Sequence, residues 1–138
     1  MFGFFKKKTK KTDAAVETAV KLLQVQIALG DAEDNDEFDD RLIDFYSRGY
    51  IFGLCDAILQ SSGVKEDIEA MALLTIVHIK LFGEDNGATI VGQSFRDQEN
   101  SEFSKGRMQG GEELVEFFRS EGKTPAMGLA DYLLNGEV

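Results

Sequence analysis

The chain has no tryptophan, one proline, one cysteine and one histidine among 138 residues. A lone cysteine, Cys55, excludes an intramolecular disulfide and any cysteine-cluster metal site. It falls in the apolar run 50–59 and reads as a small buried hydrophobe. A lone histidine, His78, excludes H-E-x-x-H sites, multi-histidine zinc sites and the paired E-x-x-H motifs of di-iron bundles. No Walker A lysine loop and no G-x-G-x-x-G stretch occurs. Pro125 is the only proline, so long helices can run unbroken before it. Uncharged apolar runs fall short of the roughly 18 residues needed to span a bilayer. Asp13, Glu17 and Lys21 interrupt the place where a secretory leader would be apolar. These absences lead to an expected cytoplasmic protein with no cofactor and no metal.

Positive charge is scarce and unevenly placed. Fifteen Lys and Arg stand against 25 Asp and Glu, a net charge of −10. Five of the bases, Lys6, Lys7, Lys8, Lys10 and Lys11, lie in residues 1–12, which contain no acid. Residues 13–138 therefore carry ten bases against 25 acids, a net of −15. Such a body argues against nucleic acid as a partner, because the phosphate backbone rewards clustered Lys and Arg. It fits a solvated surface or a basic partner. The contrast divides the chain into a basic, flexible tail at 1–12 and one acidic domain at 13–138. Phe2, Phe4 and Phe5 beside Lys6–Lys11 suit weak contact with an anionic membrane surface, at about 1 kcal/mol per lysine.

What the chain has in quantity is helical patterning. Residues 64–83 are the clearest case: acids in the first turns, Lys80 in the last, Gly83 beyond it. From Met71 onward this stretch is apolar nearly all round, which predicts a helix buried on several sides. Its neighbours follow from caps and periodicity. A helix starts at Thr12 or Asp13 and ends at Gly30. A second, capped by Asp36, runs to about Ser61, with Asp44 and Arg48 as an i, i+4 pair. A short helix is expected within 84–99, and a longer one from Asn100 to about Glu121. The last has Thr124 as N-cap, Pro125 as its first residue and Gly136 past its end. The acidic loop after Gly30 matches a calcium loop at Asp31, Glu33 and Asn35. It fails where that loop needs glycine (Asp36) and a bidentate glutamate (Leu42). The expected fold is an all-α, five- to six-helix bundle-like single domain around a central buried helix at about 64–82.

Two stretches share a pattern. Residues 46–53 read Tyr-Ser-Arg-Gly-x-x-x-Gly, and residues 103–110 read Phe-Ser-Lys-Gly-x-x-x-Gly. A glycine inside a helix costs about 1 kcal/mol relative to alanine. Four of them, Gly49, Gly53, Gly106 and Gly110, predict a close helix–helix contact. The same flat surface could instead serve as a slot for a ligand, with Arg48 and Lys105 at its edge and Asp56 and His78 as further polar candidates. Arg48 or Lys65 is the expected partner of Asp56. No triad, carboxylate pair or Cys–His pair is placed by spacing, so no residue is assigned a catalytic role. The functional expectation is a non-enzymatic protein-interaction or regulatory module. A small-molecule-binding or enzymatic domain with a pocket between the glycine-bearing helices is the alternative. Apolar surface in excess of what one chain can cover predicts a homodimer, with an interface on the helix ending near Ser61 or the helix ending near Glu121.

Overall fold

A computed structural model describes residues 2–32 and 36–137, with side chains described from Lys11 onward. Its described residues form seven helices and no strand: α1 (Phe2–Gly30), α2 (Phe38–Leu42), α3 (Phe45–Ser61), α4 (Asp67–Phe82), α5 (Glu84–Arg96), α6 (Ser101–Arg119) and α7 (Gly128–Asn135). The fold is all-α. No helix among the described residues is long and apolar enough to cross a membrane. The membrane-contact residues Phe2, Phe4, Phe5 and Lys6 to Lys10 lie outside the described side chains, as do Glu33 and Asn35 of the calcium-like loop. Asp31 and Asp36 of that loop are exposed.

The helix at the centre is α3, not the stretch 64–82 that the sequence favours. Twelve of its residues are buried, among them Tyr50, Ile51, Leu54 and Cys55. On α4 only Leu74, Val77 and His78 are buried, and Ile68, Met71 and Ile76 stand exposed. An apolar helix wants burial, but neighbours decide which one receives it. The neighbour of α3 is α6, and glycine lets it come closest. A Cβ built on Gly49 would lie 2.0 Å from the Phe103 carbonyl oxygen, and one on Gly106 would lie 2.1 Å from that of Tyr46. One turn further, Gly53 would meet the Arg107 carbonyl at 1.9 Å and Gly110 the Tyr50 carbonyl at 2.2 Å. The contacts are reciprocal. Each glycine sits on the residue three places before its counterpart in the other motif. The helices therefore run parallel, with the two copies of the pattern in register about a local two-fold axis. Gly110–Gly111 does not break α6, which continues through both.

Three helix boundaries differ from the local reading. The first helix begins at Phe2 rather than at Thr12 or Asp13, so the basic stretch before Thr12 is part of α1. The expected helix from Asp36 to Ser61 is divided at Ile43–Asp44. Asp44 becomes the N-cap of α3, its Oδ1 accepting from the Ser47 backbone N–H at 3.0 Å. Its Oδ2 accepts from the Tyr132 hydroxyl, which locks the cap to α7. Arg48 does not pair with Asp44. Its guanidinium reaches Asp97 at 2.8 Å and the Ile43 carbonyl at 3.0 Å, and it lies over the Phe45 ring. The final helix starts at Gly128 rather than Pro125 because its N-terminal amides are satisfied from elsewhere in the fold. Glu113 Oε1 accepts from Gly128 N at 2.8 Å, and Gln26 Oε1 from Leu129 N and Ala130 N at 2.9 and 3.2 Å. Its end follows the sequence, with Gly136 left-handed at φ 71. Residues 84–96 form α5, which Gly87 sets against the α4 backbone at His78 and Ile79.

These environments separate the glycines into two classes. A Cβ on Gly92, midway along α5, would meet nothing within 4 Å. Gly92→Ala should therefore stabilise by about 1 kcal/mol through helix propensity alone. Gly53→Ala and Gly106→Ala should each cost about 3 kcal/mol, because a backbone carbonyl cannot yield without separating α3 from α6. Urea unfolding midpoints of the three variants check this. A Gly106→Ala protein as stable as wild type would mean that the helices part at little cost.

Candidate interaction surfaces

The polar residues singled out from the sequence do not converge. Arg48 is buried in its pair with Asp97 at the start of α3. Asp56, half-buried on the same helix, meets neither Arg48 nor Lys65 as expected. It accepts from Gln60 Nε2 at 2.9 Å and faces Arg107 at 3.6 Å. Lys105 is exposed and bonded to Glu102 within its own turn. His78 is wholly buried on α4. Four residues at four places do not make one pocket. The glycine-bearing helices leave no room between them, since their backbones touch.

The buried Tyr50 has a structural task. Tyr50 donates to Glu113 Oε1 at 2.7 Å and accepts from Gln26 Nε2 at 3.1 Å. Burial, then the bond to Glu113, pushes its hydroxyl well up. Tyr46 is pushed up to about 12, first by burial and then by the Glu113 charge. Glu113 also accepts from Gln109 and from Gly128 N. It thus ties α3, α6 and α7 together at one carboxylate. Burial pushes the Cys55 thiol far up, the reverse of what a nucleophilic thiolate requires.

Among the described residues, His78 and Ser94 each leave one buried polar atom unbonded. With the His78 Nδ1–H donating to the Leu74 carbonyl at 2.7 Å, its Nε2 is left buried with no partner. Burial lowers its pKa, and the Leu74 bond opposes that only in part.

The surface that can receive something is a trough beside the α3–α6 crossing. It has a volume of about 930 Å³ and is open along one side. Gly53 and Ala57 of α3 with Met108, Gly111 and Val115 of α6 make an apolar floor. The rim carries both signs: Asp56, Glu112 and Glu116 against Arg107 and Arg119. Met108 is 66% exposed, and Val115 and Phe118 follow it along the same helix face. A Cβ on Gly111 would meet only the Gly53 carbonyl, at 3.7 Å, so packing does not demand this glycine. It flattens the floor. Of the sequence candidates, only Gly53 and Asp56 line the trough. The others on its wall were missed. The legible signal was the run of exposed-side apolar residues at 108, 115 and 118, which shares α6 with the buried Phe103 and Leu114.

A second apolar surface lies on α4, where Ile68, Met71, Ala72 and Ile76 recur at helical spacing and are all exposed. No known family, curated protein or solved structure matches the chain.

Two outcomes follow. The His78 pKa is lowered in the folded state, so the folded chain resists the proton that the unfolded chain takes near pH 6.5. Stability should be full above that pH and fall as pH drops from it towards the folded pKa. As the only imidazole in the chain, its Cε1–H resonance should titrate with a midpoint below 6.5. A midpoint at or above that value would contradict the buried, neutral ring. Arg48→Met should lower stability by about 2 kcal/mol in urea unfolding, because it strands the half-buried Asp97 carboxylate and the Ile43 carbonyl. Arg48→Met, Asp97→Met together should lose less than the single change, since the stranded charge is gone.

Proposed function

We propose that this protein is a non-enzymatic interaction module that forms a homodimer through the trough beside the α3–α6 crossing. The observation that carries the reading is the trough itself, with its apolar floor and its rim of mixed sign. A two-fold contact brings the same patch of both copies together. A rim of one sign would then repel itself, whereas Arg107 and Arg119 among Asp56, Glu112 and Glu116 can each face an acid of the partner. The floor supplies the apolar contact, and Met108 and Val115 gain the most from being covered. Acidic charge over the rest of the body opposes the approach, but salt screens it beyond about 8 Å at physiological ionic strength. The buried Tyr50 and Arg48 and the half-buried Glu113, all engaged in hydrogen bonds, support a structural rather than a chemical use of the interior.

Light scattering tests it. At micromolar concentration and moderate salt, the wild-type mass should approach twice 15.3 kDa. Met108→Glu, Val115→Glu should return it to the monomer mass with the helical circular dichroism unchanged, since both side chains are exposed in the single chain. A wild-type monomer that persists on concentration overturns the proposal.

A further inference from the structure

The α4 stripe is a second exposed apolar surface, and the charges that flank it are mainly acidic. We propose that Ile68, Met71, Ala72 and Ile76 receive a cationic amphipathic helix of another protein, lying along α4 with its apolar side down and its Lys and Arg outward. This goes beyond the reading above and rests on a different face.

Three observations support it. First, the stripe is apolar and open. Ile68 is 83% exposed, and Met71, Ala72 and Ile76 are exposed on the following turns. Those positions span about 12 Å at 1.5 Å per residue, the length of two turns of a packed helix. Second, the stripe is not an accident of a frayed end. The opposite side of α4 is anchored by Leu74, Val77 and His78, and α5 is pressed on the His78–Ile79 backbone at Gly87. In the folded chain α4 therefore presents its outer face as a continuous helical ridge. Third, the charges at the ends of the ridge are mainly of one sign. Glu66 and Asp67 stand exposed before it, and Glu84 and Asp85 after it, against Lys65 and Lys80. Beyond them the body from residue 13 onward carries a net −15. A second copy of the same acidic face is disfavoured there, unlike at the mixed-sign trough. A helix with apolar residues at i, i+3, i+4 and i+7 and with basic flanks is matched in both respects.

The test uses the full chain and two fluorescent two-heptad peptides. One repeats Leu-Lys-Lys-Leu-Leu-Lys-Leu, and the other has Glu at every Lys position. Fluorescence anisotropy should give saturable binding of the lysine peptide and none of the glutamate peptide. Ile68→Asp, Ile76→Asp should weaken the lysine peptide by about tenfold or more. Since both substitutions add negative charge, a loss of affinity reads the apolar contact and not the attraction. Met108→Glu, Val115→Glu should leave the peptide affinity unchanged, which separates this face from the trough. Four results would overturn the proposal: no binding of the lysine peptide; equal binding to the Ile68→Asp, Ile76→Asp protein, which would mean diffuse attraction to an acidic body; equal binding of the glutamate peptide; or a self-association, or a binding to phosphatidylserine vesicles, that the stripe substitutions abolish, which would assign the stripe to a second copy or to a membrane.

Discussion

The backbone contact between α3 and α6 is the constraint from which the rest of the architecture follows. Four glycines place two parallel helices so close that the Phe103, Arg107, Tyr46 and Tyr50 carbonyls occupy the space of absent Cβ atoms. The glycines sacrifice about 1 kcal/mol each of helix propensity. In return, dispersion and apolar burial act over the full length of two long helices. α3 is then enclosed on the side of α6, and α1, α4 and α7 close round what is left. Phe103, packed edge-on against Phe52, and the buried Leu114 show how the side chains flanking the glycines complete the seam.

A second layer of organisation is polar. Glu113, Gln26 and Tyr50 stand where α1, α3, α6 and α7 meet, and together they satisfy three amides at the start of α7. At the other end of that helix, Arg41 donates to the Leu133 and Leu134 carbonyls. An eight-residue helix is marginal on its own. Here both of its ends are capped by side chains from other helices, so α7 forms because the fold has formed.

This division explains what could be read from the sequence. Helix-interior glycines are locally unfavourable, so their presence at 49, 53, 106 and 110 pointed to a tertiary cause. The matching spacing of the two motifs pointed to their pairing. Local caps also transferred: Asn100 accepts from Glu102 N and Phe103 N as the N-cap of α6, and Gly136 closes α7. What failed, apart from that pairing, were the inferences that needed a partner distant in sequence. Thr124–Pro125 is a sound helix start by local rules, yet the caps that set the true start come from Glu113 and from Gln26, 103 residues before Leu129. Arg48 was paired with its nearest acid on the helix, whereas the fold supplies Asp97. The stretch 64–82 was placed at the centre because its composition demands cover. Composition records that demand and is silent on supply. The trough was only half legible for the same reason: Met108 and Val115 marked its α6 wall, but nothing local placed them beside Gly53 and Ala57 of α3.

The unsupplied cover on α4 has a consequence for how that helix behaves. α4 is held from beneath by Leu74, Val77 and His78 and by the tight seat of Gly87, far fewer anchors than α3 has. Helices with few buried contacts are the ones that open first. His78 is among those few, and it is stable there only while neutral. Acid therefore loosens α4 from its inner side. A helix docked on Ile68, Met71 and Ile76 would bind only the seated form and so favour it from its outer side. Protonation beneath α4 and docking upon it act on the same equilibrium with opposite signs. The apolar stripe is thus placed where occupancy by the proposed partner would change the stability of the element that carries it.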